Sequence, residues 1–431
     1  MKKKVYLAFT SDILHRGHIN ILKQANKLGE ITVGLLTDKA IGSYKKIPFL
    51  NYEQREIILK NLKLVHKVIP QDTLDYRPNL KKLKPHFVVH GDDWKKGILK
   101  NTRKQVVIEL RKWSGKLVEV AYTKNIASNE IQKNNINLDL NKVNRTSLLR
   151  RLIRAKKFVR IIEAHSPLSA LIAERVQIKK REKLIEFDGF WSSSLTDSLL
   201  RGKPDNQSVD LSVRIAALNE ILDITSKPII FDGDNGGRVE HLPYTINSME
   251  RQGVSAIVLE DKAGLKKNSL FSNQTNAKQD TIKNFSNKIS VAVNSRKSRD
   301  FLIVARIESL ILKNGMKDAI KRANIYSKAG ADAILIHSKN KDPKEIFQFA
   351  KIFRKSKYYK PMIAVPSSYS KTFEKDLIKN DFKIVIYANH VLRASYLAMN
   401  NVLKSILKNE RSYESEKNIS PISELLKYSL Y

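Results

Sequence analysis

Apolar residues along this chain gather in short runs separated by stretches of helical spacing. "KVYLAFT" (4–10), "EITVGLLT" (30–37) and "HFVVHGDD" (86–93) read as strands, whereas "HINILKQANKL" from His18 and "NYEQREIILKNLKL" (51–64) place apolar positions on one helical face. The alternation predicts a small parallel α/β domain over residues 1–130. "IQKNNINLDLNKVNR" (131–145) is Asn-rich, has no apolar period and reads as a linker. From residue 146 to 431 a second pattern takes over. Eight apolar runs recur: "FVRIIEAH" (158–165), "GFWSSS" (189–194), "PIIFDGD" (228–234), "AIVLED" (256–261), "FLIVARIES" (301–309), "AILIHS" (333–338), "PMIAVPSS" (361–368) and "IVIYANH" (384–390). Helical segments lie between them, which predicts a (β/α)8 barrel rather than an open sheet.

Nearly all these runs end in polar residues: Glu163 and His165, Trp191 and Ser193, Asp232 and Asp234, Glu260 and Asp261, Arg306 and Glu308, His337, Asn389 and His390. Strand ends meet water, so one polar end means little. In a barrel, however, the C-terminal strand ends converge on one mouth, and carboxylates on two consecutive ends with Arg and His on two more predict a site there.

Composition narrows the chemistry. At 431 residues the chain is too long for one core, and two or three domains are expected. It has no Cys, which excludes disulfides, thiolate metal sites and cysteine nucleophiles. No apolar run approaches the roughly 18–20 residues of a membrane span, and the basic start "MKKK" precedes too short an apolar run for a signal peptide, so a cytoplasmic protein without a membrane partner is expected. The net charge of +36 comes from Lys spread over the whole chain without an Arg/aromatic block. General Lys enrichment explains it better than a nucleic-acid surface, and it favours anionic substrates.

Asp232-Gly-Asp234 sets two carboxylates on one side of a strand, with Glu260 at the end of the next. Such hard oxygen donors favour Mg2+ or Mn2+ that keeps waters and meets a substrate anion. Arg306 offers a fork for phosphate or carboxylate, or an internal ion pair with Glu308, and His337 offers a further hydrogen bond. The loop "VLEDKAGLKKNSL" (258–270) passes from acids into a basic, Gly-containing segment able to close.

Over about residues 146–410 these features resemble the phosphoenolpyruvate mutases of the isocitrate lyase superfamily. The resemblance rests on Trp-x-Ser-x-Leu at 191–195 with Asp205 beyond it, Asp232-Gly-Asp234, "EDK…K-x-N-S" at 260–269, "VARIES", "ILIHSK" and "YANHVLRAS". It implies rearrangement of phosphoenolpyruvate to phosphonopyruvate. It also implies Mg2+ on Asp232, with Asp205, Asp234 and Glu260 holding its waters. Ser193, with the backbone of Ser194 and Leu195, would grip the substrate carboxylate beside Trp191. Arg306, His337 and Asn268 would handle the phosphoryl group, and Lys266, Asn268 and Ser269 would sit on a gating loop. Asp205 would be a transient acceptor or an electrostatic guide; a dissociative transfer favours the guide. Leu265 stands where such loops commonly carry Pro. The lyases of the superfamily carry a Cys that this chain lacks, while a phosphonopyruvate hydrolase would share most of the site.

"SDILHRGHINIL" places His15 and His18 three apart at a helix start, where they share a face and can clamp a nucleotide phosphate. With Lys46, "YEQR" ending at Arg55, and "GDDW" (91–94), residues 3–130 resemble the cytidylyltransferase family, a Rossmann-like nucleotidyltransferase fold. The resemblance implies attack on the α-phosphorus of CTP with release of pyrophosphate. His15, His18 and Lys46 would stabilise the growing charge, Asp12 and Arg55 would lie near the substrates, and Asp93 and Trp94 near the nucleotide. There are departures: Phe9 replaces a Gly, and "YTKNIASN" (122–129) keeps Thr123 and Ser128 but loses the Arg and Gly of the usual final motif. The expected whole is a bifunctional phosphonate-biosynthesis enzyme using CTP and a small phosphonate, homo-oligomeric through its barrel as a dimer or tetramer. The alternative is a phosphonopyruvate hydrolase barrel with a non-catalytic nucleotide-binding module.

Overall fold

The structure is a computed structural model that describes residues 2–95, 97–121, 138–180, 183–264, 266, 268, 269 and 277–428. The chain divides into two compact units, one formed chiefly by residues 1–137 and the other chiefly by the remainder from Leu138.

In the N-terminal unit β1 (Lys4–Phe9), β2 (Glu30–Leu36), β3 (Lys67–Gln71), β4 (Phe87–Gly91) and β5 (Lys116–Val120) form a parallel sheet in the order β3-β2-β1-β4-β5. Two of these strands carry weak sequence signals. "KVIPQ" contains Pro70, which the sheet tolerates because β3 is an edge strand, and "KLVEV" is only half-buried at the other edge. The strand order reverses between β1 and β4, and the crevice beyond their carboxyl ends is where such sheets bind ligands.

The helix Leu138–Ala155 begins inside the stretch read as a linker. Its apolar positions are sparse at the start, so the Asn-rich composition conceals the helix.

The second unit contains a closed parallel barrel of β6 (Val159–Glu163), β9 (Gly189–Ser192), β10 (Ile229–Asp232), β11 (Ala256–Glu260), β14 (Leu302–Ile307), β15 (Ala333–Ile336), β16 (Met362–Ala364) and β17 (Phe382–Tyr387). Seven lie within the runs predicted from sequence, and β17 overlaps its run but begins two residues before it, at Phe382. Two small additions intervene, β7 (Gln177–Lys180) with β8 (Lys183–Glu186), and β12 (Lys262–Ala263) with β13 (Lys278–Gln279). The second pairing ties the base of the 258–270 loop to its return. Buried Phe231, Ile257, Ile303, Ile334 and Val385 belong to one apolar cluster between the strands and the surrounding helices.

Glu163, at the end of β6, accepts hydrogen bonds from Val391 and Leu392 N–H at 3.0 and 3.2 Å, capping the helix His390–Asn409 with a carboxylate. None of that helix's residues is buried, and Tyr396, Leu397, Met399, Leu403 and Leu407 are exposed. No helix among the described residues is long and apolar enough to cross a membrane.

Gly189 opens β9 so close to its neighbours that a Cβ there would sit 2.6 Å from the Pro228 carbonyl oxygen and 2.9 Å from Ile161 Cδ1. Gly189→Ala is expected to destabilise the barrel by about 1–3 kcal/mol through overpacking, read as a lower urea midpoint with an unchanged m-value.

Candidate functional site

The barrel mouth is organised around one ammonium. Lys266 reaches down from the 258–270 loop, with its Nζ 2.5 Å from Asp234, 3.2 Å from Asp205 and 3.6 Å from Asp232, and also against the Ser194 hydroxyl. Its residue is 5% exposed, so these are buried charges. Burial alone would drive the ammonium neutral; the three aspartates instead raise its pKa far above the usual lysine range. For Asp232, burial works upward, yet Lys266, Arg214 and Arg306 hold its carboxyl well below the usual carboxylate range.

The strands explain the convergence. Asp232 ends β10 and Glu260 ends β11, adjacent in the barrel. Asp234 follows in a left-handed conformation (φ 51°), a local strain that turns its carboxylate back into the mouth. The Ser194 hydroxyl and N–H both donate to Asp232 Oδ2, at 2.7 and 3.3 Å, while Ser193 caps the helix Ser194–Leu199 that carries Leu195. Trp191 is buried in β9.

A second cluster adjoins it. Arg306 donates to Glu308 at 2.6 Å, to the Ser269 hydroxyl at 2.9 Å and to His337 Nδ1 at 3.1 Å. The internal ion pair with Glu308 therefore exists and orients the guanidinium. Burial and the neighbouring Arg306 lower the pKa of His337, which is neutral near pH 7. Because its Nδ1 accepts from Arg306, its proton lies on Nε2.

Gly264, Asn268 and Ser269 of the loop are tied to residues of the mouth. Asn268 donates to Asp205 Oδ2 at 2.7 Å, Asn235 to the Gly264 carbonyl at 2.6 Å, and the Ser269 hydroxyl to Glu308 at 2.7 Å. Asp205, Lys266, Ser269 and His337 are buried.

The residues fit a divalent cation. Both Glu260 oxygens are buried without a hydrogen bond, and burial pushes this carboxyl up to about 7 against the pull of Arg306, Lys262 and Lys266. A cation among these oxygens would satisfy them. Among the described residues no three acidic or His side chains close on one point for direct ligation. Lys266 provides the positive charge in this structure.

Three contributors were not singled out from sequence. Arg214 is buried between Asp197 (2.8 Å) and Asp234 (3.1 Å), with its guanidinium 4.4 Å over the Phe231 ring. Its only sequence signal is a lone cation in the apolar helix "LSVRIAALNEIL". Asp197 pairs with it, and Lys262 lies 3.2 Å from Glu308 and 2.5 Å from the Ser269 hydroxyl.

In the N-terminal unit His15 and His18 follow β1 at the reversal of strand order. Gly17 N–H donates to His15 Nδ1 at 3.1 Å and His15 N–H to His18 Nδ1 at 3.4 Å, so both rings carry their proton on Nε2. Burial lowers the pKa of His15; burial, then His15 and Lys45, bring His18 down to about 4. Phe9, the departure at the signature's first position, packs edge-on against His18 with ring centroids 5.2 Å apart.

Arg55 and Trp94 are placed differently from the expectation. The Arg55 side chain is fully buried and donates to Leu50, Thr10 and Leu36 carbonyls and to Asp38. Trp94 is fully buried, stacked on His90 and donating to Glu119 at 2.8 Å. Both are scaffold here, because their polar atoms are consumed within the unit. Asp12 Oδ1 accepts from Leu50 N–H at 3.1 Å, and Lys46 is exposed. Thr123, Ser128, Leu265 and the side chain of Asp93 lie outside the described residues.

The phosphoenolpyruvate phosphomutase family model matches residues 149–407, and a cytidylyltransferase-like model matches residues 10–136. A phosphoenolpyruvate phosphomutase of Tetrahymena pyriformis is 32% identical over 286 residues, covering 66% of this chain and 90% of that one. The crystal structure of a phosphonopyruvate hydrolase in complex with oxalate and Mg2+ superposes with a TM-score of 0.59 at 31% identity, over 66% of this chain and 94% of that one. At the N-terminus, a glycerol-3-phosphate cytidylyltransferase of Bacillus spizizenii is 36% identical over 97 residues, 22% of this chain and 74% of that one. The chain belongs to the phosphoenolpyruvate phosphomutase family and carries an N-terminal cytidylyltransferase-like domain.

Proposed function

We propose that the barrel interconverts phosphoenolpyruvate and phosphonopyruvate, and that the N-terminal domain joins CTP to a small phosphonate, as in phosphonate biosynthesis. The observation that carries the first reading is the loop tied to the mouth, with Lys266 and Asn268 both on Asp205. In the rearrangement the P–O bond of phosphoenolpyruvate breaks with its electron pair left on the enolate. The methylene carbon of that enolate then donates a pair to phosphorus. No proton is exchanged and no water takes part, so the chain must hold two fragments together and keep solvent out.

Its residues suit that task. His337 Nε2–H, the Arg306 guanidinium and the Asn268 amide would hold the phosphoryl oxygens. Asp205 accepts from Asn268 through Oδ2 at 2.7 Å and faces the Lys266 ammonium through Oδ1 at 3.2 Å, an ion-paired setting that favours a guide over a nucleophile. Ser193, Ser194 and Leu195 beside Trp191 would receive the substrate carboxylate. Asp232, Asp234, Glu260 and Asp205 would hold Mg2+, which supplies charge to stabilise the enolate oxygen.

In the N-terminal domain a phosphonate oxygen would attack the α-phosphorus of CTP as the bond to the departing pyrophosphate breaks. Neutral His15 and His18 present two Nε2–H donors to the triphosphate, and Lys46 would add charge. The exposed apolar residues of the helix His390–Asn409 support a homo-oligomer assembled through the barrel.

Phosphorus NMR of the protein with phosphonopyruvate and Mg2+ tests the barrel. Phosphoenolpyruvate is expected to accumulate, to vanish with EDTA, and to fall at least ~10²-fold in Asp205→Ala. Inorganic phosphate and pyruvate would show a hydrolase instead.

Removing the ammonium from the acid cluster should strengthen cation binding. Lys266→Met is expected to bind Mn2+ more tightly in the absence of substrate, read by the free-Mn2+ signal in paramagnetic resonance, while turnover falls.

His18→Ala should lower CTP-dependent pyrophosphate release by about 10²-fold. CTP binding without turnover on any phosphonate would make this domain a docking module. The His18 ring proton should titrate near pH 4 by NMR. The unfolded chain takes up that proton near 6.5, so the folded domain loses stability as pH falls from about 6.5 towards 4.

A further inference from the structure

At the end of the barrel opposite the mouth, Arg145 is buried, 2% exposed, beneath a cavity of about 490 Å3. Its Nη2 donates to the carbonyls of Leu222 (2.9 Å) and Thr225 (2.7 Å), which precede β10. Its own carbonyl accepts from Ser255, the residue before β11, at 2.6 Å. These bonds fix the side chain at the floor of the cavity. They leave Nε and Nη1 buried with no hydrogen-bond partner. Burial lowers the guanidinium to about 10, with Asp223 and Glu174 opposing, so it stays charged at neutral pH.

A fully charged guanidinium with unmatched N–H groups under a solvent-connected cavity is costly unless an acceptor arrives. The walls show what kind. Arg251 adds a second cation to the lining. Asp223 lines the same cavity, and the Gln252 side-chain oxygen is buried without a partner, so the lining holds two acceptors as well as two cations. Both faces lie within the barrel unit.

We propose that this cavity is a second binding site, for a small organic oxyanion, a phosphate, phosphonate or carboxylate, that also carries an ammonium or hydroxyl group. The oxyanion takes the Nε and Nη1 hydrogens of Arg145 with Arg251 closing over it. The donor end is received by Gln252 and Asp223. A volume of this size is within the range of small-molecule sites, and the site stands on its own geometry, independent of the reaction at the mouth.

Crystals of the full chain soaked separately in selenate and in O-phosphoethanolamine read the location directly. Density for both beside Arg145 is expected, and titration calorimetry in EDTA should show this binding weakened by at least about tenfold in Arg251→Ala. Arg251 is an exposed wall residue whose removal leaves the fold intact; Arg145→Gln, which also loses bonds to backbone carbonyls, serves as the second variant. Selenate alone would make this an adventitious ion only and overturn the organic ligand. Absence of both, or affinity unchanged in Arg251→Ala, would reduce Arg145 to a cap on the carbonyls before β10.

Discussion

Burying a carboxylate is expensive, and the barrel mouth buries several side by side. Asp205, Asp232 and Asp234 can share that space only because a positive charge stands among them, and in this structure it is the Lys266 ammonium. The same requirement explains Arg214 behind Asp234 and Asp197, and Arg306 with Lys262 beside Glu308 and Glu260. Each cation comes from a different element, so these ion pairs link the strands, the helix Leu211–Leu222 and the loop into one assembly. The loop is held down by the charge it supplies. A divalent cation would compete for the same oxygens, which couples the metal content of the mouth to the position of the loop that covers it.

The N-terminal domain places its titratable pair under the opposite condition. Its two histidines are kept neutral by burial, and their tautomers are set by reciprocal bonds from their own helix start. Fixed Nε2–H donors stabilise negative charge that develops late, without the desolvation cost of a buried cation. Phe9 takes part by covering one face of the pair. Arg55 binds the backbone at the ends of β1 and β2, and Trp94 packs into the core behind β4.

Much of this architecture is legible in sequence, for a definite reason. Strands of a parallel barrel are covered on both sides, so they must be apolar throughout, and their carboxyl ends must turn polar where the chain reaches the mouth. That pattern marks all eight barrel strands and brings Asp232, Glu260, Arg306 and His337 to one rim before any coordinates are consulted. Edge strands escape the rule: β3 carries a proline and β5 is half-buried, and neither has a distinctive run. The helix start at Leu138 escapes it too, because its first turn is polar.

The sequence by itself therefore determined the two domains, the strand positions and the inventory of acids, bases and hydroxyls at the mouth, because these depend on local periodicity and on which residues end each strand. Only the tertiary structure decided the partners. Lys266 meets Ser194 across 72 positions, Arg306 meets His337 across 31, and Arg145 meets Thr225 across 80. No local spacing encodes such contacts. They exist because the parallel barrel sets consecutive strands side by side, β9, β10 and β11 among them, and brings the loops and helices at their ends within reach of one another.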